Sequence, residues 1–185
     1  MALLTLAEAK AQLDIETGTD DVELQAYIDG LGPVIERYVG PVEIRTVTEQ
    51  VDGWKLIALT QAPVVSLVSL TPVLDGGLAV SLAEVTMNPD SGVVRRRDGA
   101  PFYGGPWTAV YSAGRVAEGG DIPPTISLAA RILLQHLWRT QYGSARGQGS
   151  ADDFSVTEPI PGFGYAVPNR VLQLLEAYKV TAGIA

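Results

Sequence analysis

One histidine, His136, is the only side chain in the sequence whose ordinary pKa suits acid–base catalysis near neutral pH. It stands in an apolar stretch, and no serine or carboxylate is spaced to form a nucleophile–base pair with it. The G-x-S-x-G pattern of a nucleophile elbow is absent, and the chain has no cysteine for a thiolate zinc site or a disulfide. We therefore interpret His136 as a core or interface residue and predict no catalytic residue and no enzyme.

Three other kinds of segment carry residue types that bind ions or phosphates, but each has an incomplete pattern. The Gly-rich pieces GQGSAD and GFGYAV complete neither G-x-G-x-x-G nor the Walker pattern. The acidic stretch 14–24 places Thr19 and Gln25 where a calcium loop requires Gly and Glu, and helix capping explains its carboxylates. We interpret the basic run 95–97 as a solvated strand end or turn. The sequence thus predicts no metal site and no cofactor.

The composition narrows the class of protein. The chain carries a formal net charge of −8, which argues against gripping nucleic acid, because phosphate binding needs clustered Lys and Arg. It is 46% hydrophobic and 18% charged, against about 25% charged in typical domains, so we assign the apolar surplus to subunit interfaces. No apolar run reaches the roughly 18 residues of a membrane span, and the start MALLTLAEAK lacks a basic signal-peptide region. We expect no membrane partner and synthesis in the cytosol.

The longest helical pattern, residues 124–142, is the element around which we expect the chain to fold. Its apolar side chains recur three and four residues apart, and no Gly or Pro interrupts it after its first turn. Capping patterns predict two earlier helices near 5–13 and 20–39, and a proline opens a last one near 168–180. The predicted fold class is α+β, built on a small bundle of about four helices.

Between the second and third helices the apolar period changes to that of strands. Residues 42–112 are rich in β-branched side chains and turn signals, so we predict a β-rich antiparallel insert of five to seven strands. The Asp-Gly pair at 52–53 is a hairpin signal joining the first two strands. The predicted domains are a helical connector domain, 1–41 with 116–185, and a β-rich insert, 42–115.

Two segments outside these elements are predicted to meet neighbouring subunits. Residues 143–166 are rich in Gly and Ser, which makes them costly to order, yet they include Phe154, Phe163 and Tyr165. We expect them to be mobile in the free subunit and ordered against neighbours. In the C-terminal segment 179–185 an apolar line continues past the last helix, where a solvent-facing tail would more often be polar.

The sequence contains four helical motifs, and the order in which they occur can be compared with that of known families. They are LTLAEAKAQLDI (4–15), DDVELQAYIDGLGPVIERYVG (20–40), IPPTISLAARILLQHLWRTQYG (122–143) and VPNRVLQLLEAY (167–178). The first two are similar to an L-x-E-A-K-x-x-L helix followed by a D-D-x-x-L-x-x-x-I helix. The third is similar to a P-x-x-x-x-A-x-x-x-L-x-x-x-L-W/Y helix with a Gly-rich sequel. Together they resemble the head-tail connector proteins of tailed bacteriophages, the adaptor or head-completion family, while no motif matches in the β-rich middle.

This resemblance implies a structural virion protein. It implies a ring, commonly of twelve subunits, below the portal at the capsid vertex, which extends the DNA channel and joins the capsid to the tail. The implied partners are further copies of the chain, the portal protein, and a tail, stopper or tail-terminator protein, and DNA passes through the channel without specific binding. The implied location is the head–tail interface of the virion, after assembly in the host cytoplasm.

The residues that we expect at a subunit or portal interface lie at the end of the third helix, in 143–166 and near the C-terminus. They are Trp138, Arg139, Tyr142, Phe154, Phe163, Tyr165, Tyr178, Val180 and Ile184. Two other functions stay open at this point. One is a different virion assembly subunit, such as a tail-completion protein, which would sit in a different ring. The other is an enzyme whose site forms between subunits and pairs His136 with a neighbour's carboxylate.

Overall fold

The structure, a computed structural model, describes residues 2–75, 78–142 and 167–180, without the side chains of 141 and 142. Its elements are four helices and antiparallel sheets, so the predicted α+β class is confirmed.

The described chain packs as two compact units. A helical unit takes residues up to Tyr38 and Ile122–Lys179, and a β unit takes Val39–Asp121 with Val180. The predicted division into domains at 41/42 and 115/116 stays a prediction, because compact packing alone does not show that a unit folds independently.

The four helices lie close to their predicted positions. They are α1 (Leu6–Leu13), α2 (Asp21–Val39), α3 (Pro124–Tyr142) and α4 (Asn169–Leu175). The last helix is shorter than predicted, because a tighter 3₁₀ turn, Glu176–Tyr178, follows it and Lys179 after that turn is no longer helical, with ψ of 125°.

The start of α1 shows why the sequence folds locally as it does. The Thr5 hydroxyl accepts the Glu8 backbone N–H at 3.2 Å, and the Glu8 carboxylate accepts the Thr5 backbone N–H at 2.9 Å. This reciprocal capping box satisfies two backbone donors that a helix start otherwise leaves unpaired. The same carboxylate accepts a hydrogen bond from Arg131 of α3 at 2.7 Å, so the cap also ties α1 to α3.

The predicted apolar face of α3 is the centre of the helical unit. Its residues Ile126, Ala129, Ala130, Leu133 and Leu134 are fully buried, and α3 contacts both α1 and α4. Each large aliphatic side chain so buried contributes about 1.5–3 kcal/mol. Leu128, in the same helix, lies outside this buried face, with its side chain 47% exposed.

The β unit contains six strands among the described residues, within the predicted five to seven. They are β1 (Arg45–Val51), β2 (Ile57–Ala58), β3 (Val64–Pro72), β4 (Val85–Met87), β5 (Val93–Arg96) and β6 (Trp107–Ala113). Two three-stranded antiparallel sheets result, with the orders β1-β6-β3 and β2-β5-β4. The last strand in sequence, β6, is the central strand of the larger sheet.

The predicted hairpin at 52–53 is wrong. Strand β1 pairs with β6, and β2 pairs with β5 in the other sheet. The Asp52 carboxylate accepts the Gly53 N–H at 2.8 Å, a local hydrogen bond that does not pair the strands on either side. A turn signal reports local backbone preference, whereas the choice of strand partner depends on distant residues.

The larger sheet buries one face. Along β6, Trp107, Ala109, Tyr111 and Ala113 are buried and alternate with half-buried residues, as a period of two requires. The Tyr111 hydroxyl donates to Glu49 Oε1 at 2.8 Å and accepts the Gln61 N–H at 3.1 Å. These bonds fasten the segment before β3 to the sheet.

Candidate interaction surfaces

His136 is half-buried, and this burial lowers the pKa of its imidazole, which favours the neutral ring at pH 7. Within residues 2–75, 78–142 and 167–180, no group of three His, Cys, Asp or Glu side chains is placed to hold a metal ion. In the same part of the chain, no helix is long and apolar enough to cross a membrane.

The acidic stretch 14–24 serves to place helices in this structure. Asp14 ends α1 in the left-handed conformation, with φ of 54°. Asp21, in the first turn of α2, pairs with Lys10 of α1 at 2.7 Å. Both roles are those of helix boundaries, where a carboxylate near a helix start is stabilised by the helix dipole.

The basic run at the end of β5 is held by local acceptors. Arg96 donates to both carboxylate oxygens of Asp98, at 3.1 and 2.7 Å. Its Nη2 also lies 3.3 Å from Glu84 Oε2. Through this bonding, Arg96 lowers the pKa of the Asp98 carboxyl to about 2. Arg97 donates from Nε to the Val85 carbonyl at 2.9 Å. Two of the three arginines therefore form hydrogen bonds within the β4–β5 region, as expected for a solvated strand end or turn.

The predicted interface residues fall into three groups. Trp138 is 7% exposed and packs edge-on against Tyr27 of α2, with ring centroids 5.8 Å apart, so it offers little surface in a single copy. Arg139 is exposed, while Tyr178 and Val180 are half-buried. The Tyr142 side chain and four whole residues lie outside the described part of the chain: Phe154, Phe163, Tyr165 and Ile184. The interface role of all nine residues stays a prediction.

The structure also exposes apolar residues that sequence reasoning missed, most of them in the β unit. Val65 and Val68 on β3 are 52% and 54% exposed, and Val73 and Leu74 follow at 43% and 59%. A signal for them existed in the sequence. Residues 56–74 and 99–114 contain no Asp, Glu, Lys or Arg, in a chain with 34 such residues. We had interpreted the apolar surplus as an interface without locating it in these uncharged stretches.

A second exposed apolar group lies around a groove of the β unit. Trp54 and Tyr103 contact edge to face, with ring centroids 4.9 Å apart, and both are more than half exposed. The adjoining groove, about 400 Å³ in volume, is lined by side chains that include Leu78, Val80 and Trp107. The Trp107 indole N–H is buried, and no described acceptor lies within hydrogen-bonding distance of it. Tyr and Trp side chains are enriched at protein interfaces.

Comparison with known proteins gives one clear result. No protein-family model matches the chain, and no curated protein matches it as a relative. Solved structures do match. A chain of the neck of an empty GTA particle, computed with C6 symmetry, is 20% identical with a TM-score of 0.63, and the match covers 99% of this chain and 92% of that one. The chain shares that neck chain's fold.

Two further structures agree. A chain of the virion of the native gene transfer agent (GTA) particle is 18% identical with a TM-score of 0.57, over 99% of this chain and 92% of its own length. A chain of the native GTA neck computed with C12 symmetry is 20% identical with a TM-score of 0.59, over 97% and 90%. At the level of the fold, these matches confirm the predicted resemblance to connector proteins, and they span the β-rich middle that no sequence motif covered.

Proposed function

We propose that this chain is a structural subunit of the neck of a tailed, phage-like particle. The observation that carries the proposal is the likeness of nearly the whole chain, both units included, to chains from GTA particle necks. A fold can host many functions. The order of the connector-like motifs at both ends of the sequence is therefore a second, independent support.

Within the neck, we propose the adaptor position. The chain would form a ring below the portal that extends the DNA channel and joins the capsid to the tail. The similar neck structures were computed with C6 and C12 symmetry, and a ring of twelve copies is compatible with both. The proposed partners are the portal protein on one side and a tail, stopper or tail-terminator protein on the other, within a virion assembled in the host cytoplasm.

The charge of the chain suits a channel that DNA must pass. The net charge of −8 repels phosphate, and Arg96 and Arg97 of the single basic run are engaged by local acceptors. A channel wall that bound DNA would neutralise phosphates with clustered Lys and Arg. We therefore propose that DNA passes without specific binding, and that the protein is structural and not an enzyme.

A tail-completion subunit is the second candidate function, because the same composition would suit a different ring of the virion. Co-purification separates the two: an adaptor is retained with the portal, and a tail-completion protein is retained with the tail tube. An enzyme with a site between subunits is the third. If His136→Ala chains assemble fully infectious particles, that site does not involve the histidine.

The deciding experiment is cryo-EM of particles that carry a small tag on this chain. We expect tag density as a closed ring between the portal and the tail, with twelve copies. A matched sample with untagged protein controls for neighbouring density. Absence of the chain from mature particles would overturn the proposal, and density on the tail tube without density at the portal would select the tail-completion role.

A further inference from the structure

Charge is distributed unevenly over the β unit. The uncharged stretches 56–74 and 99–114 contain two strands of the larger sheet, β3 and β6. Strand β6 is central, so most of its length is covered by its neighbours, but β3 lies at the edge of the sheet. The structure therefore presents a nine-residue edge strand without a single charged side chain.

The two edges of this sheet differ. Strand β1, at the other edge, carries the exposed Arg45. Charged side chains on edge strands are a common protection against unwanted contact with other chains. Strand β3 lacks that protection, although backbone hydrogen bonds cover two of its positions. The Val64 N–H donates to the Pro89 carbonyl at 2.8 Å, and the Leu70 carbonyl accepts the Val80 N–H at 3.0 Å.

Between those covered positions, β3 exposes valines. The register with β6 shifts between Val64 and Ser66 and again between Leu67 and Ser69, so Val65 and Val68 are the extra residues of two bulges. Each is more than half exposed. Bulges interrupt the regular row of backbone donors and acceptors, so this edge suits side-chain packing better than the addition of another strand.

We propose that Val65, Val68, Val73 and Leu74, here called the β3 strip, form the surface through which one copy of the chain packs against the next copy in the ring. The proposal rests on the proposed neck function, since it requires a ring. The occupant of the β3 strip is a second copy of this same chain, and the contact is made by apolar side chains.

Electrostatics favours a copy of the chain as the occupant. Two copies that each carry a net charge of −8 repel one another, so a contact between them is least opposed where charge is absent. The β3 strip lies in the longest such region of the described strands. A basic partner would instead gain by meeting the acidic surfaces of the chain, which the β3 strip does not include.

Ring symmetry adds a geometric condition. In a closed ring of more than two copies, each contact is heterologous, so the β3 strip of one copy meets a different surface of its neighbour. Contact between two β3 strips would be self-complementary and would produce a dimer. Finding which surface faces the β3 strip therefore distinguishes the two cases: a different surface indicates a ring contact, and a second β3 strip indicates a dimer contact.

The first test introduces a charge into the β3 strip. Tagged Val68→Glu or Val68→Lys chains are co-expressed with untagged wild type, and the tagged fraction in purified particles is measured. We expect incorporation to fall about tenfold or more for both signs of charge, because a buried unpaired charge is costly whatever its sign. The matched controls are Thr48→Glu and Thr48→Lys, at an exposed position of β1 at the same level of the sheet. These controls should incorporate like tagged wild type.

The outcomes separate this inference from the proposed function. If tagged wild type is absent from particles, the neck function fails. If tagged wild type and both Val68 variants incorporate equally, the neck function stands and the inference is wrong. Circular dichroism and thermal melting of the purified variants check folding, and Val65→Glu replaces any Val68 variant that does not fold.

The second test uses the absence of cysteine from the chain. A Val68→Cys variant carries a single thiol, which is labelled with a benzophenone maleimide and irradiated after assembly into particles. We expect cross-links to another copy of this chain, at residues outside the β3 strip. Cross-links only to a different protein, or only between two β3 strips, would overturn the inference.

Discussion

The Tyr111 hydroxyl shows how much one buried polar atom holds in place. It donates to Glu49 on β1 and accepts from the backbone of Gln61, so it joins β1 and the segment before β3 to the central strand β6. Burial raises the pKa of this phenol to about 12, so the group stays protonated and keeps its donor throughout the neutral range.

Removing that oxygen should destabilise the chain measurably. In Tyr111→Phe the Gln61 N–H loses its acceptor and Glu49 loses a donor, so we expect a loss of about 1–3 kcal/mol in the free energy of unfolding. Urea denaturation measures it. Tyr103→Phe, at an exposed tyrosine, is the matched control and should change stability by less than about 0.5 kcal/mol. Equal stability of the two variants would show that the hydroxyl of Tyr111 is dispensable.

The pair of Arg96 and Asp98 predicts a specific titration. Because bonding to Arg96 lowers the pKa of Asp98 from 3.8 to about 2, the pair stabilises the fold above pH 3.8, and this contribution is lost as the pH falls towards 2. NMR titration should therefore find the Asp98 carboxyl still ionised at pH 3. In Arg96→Gln its pKa should return towards the ordinary value. An unchanged titration in that variant would mean that another group lowers the pKa.

At the scale of elements, local signals predicted the helices well. The Thr5 and Glu8 pattern predicted a capping box, which the structure contains. The three/four spacing in α3 predicted its buried face. The sequence could not show which strands pair. The Asp-Gly signal at 52–53 did not join β1 to β2, because β1 pairs with residues more than 50 positions away. Whether a strand such as β3 lies at an edge depends on the same distant pairings.

Two glycines, one inside α2 and one directly after β6, should respond oppositely to substitution by alanine. Gly30 lies inside α2, and a Cβ there would have nothing within 4 Å, so Gly30→Ala should stabilise the chain by about 0.5–1 kcal/mol. Gly114 has φ of +143°, and a Cβ there would lie 2.5 Å from the Glu43 carbonyl oxygen.

Gly114→Ala should therefore destabilise the chain, by roughly 1–3 kcal/mol or more. Thermal melting of both variants under one set of conditions checks the pair. A stabilising Gly114→Ala, or a destabilising Gly30→Ala, would contradict the described backbone.

At the scale of the whole molecule, the C-terminal segment 179–185 is predicted to attach the subunit to the portal or to a neighbouring subunit. Burying two aliphatic side chains of this segment in an interface contributes roughly 3–6 kcal/mol before ordering costs, and a ring repeats the gain in every copy. Deletion of 181–185 should leave the melting temperature of the subunit unchanged and weaken its co-sedimentation with the portal.

Full-length protein at the same concentration is the control for this deletion. Undiminished binding would reject the docking role, and a large fall in the melting temperature would assign the segment to the core of the subunit.

The central place of β6 also has a consequence for how the chain folds during synthesis. Its partners β1 and β3 leave the ribosome first, but neither can join the larger sheet until residue 113 has emerged. Helices α1 and α2 can pack against α3 only later still, because α3 begins at Pro124. Contacts between distant parts of a chain form slowly because closing long loops costs entropy. The strands of the larger sheet are thus all present in the nascent chain before the helical unit is complete, and an uncharged β3 must stay free of other chains until β6 emerges.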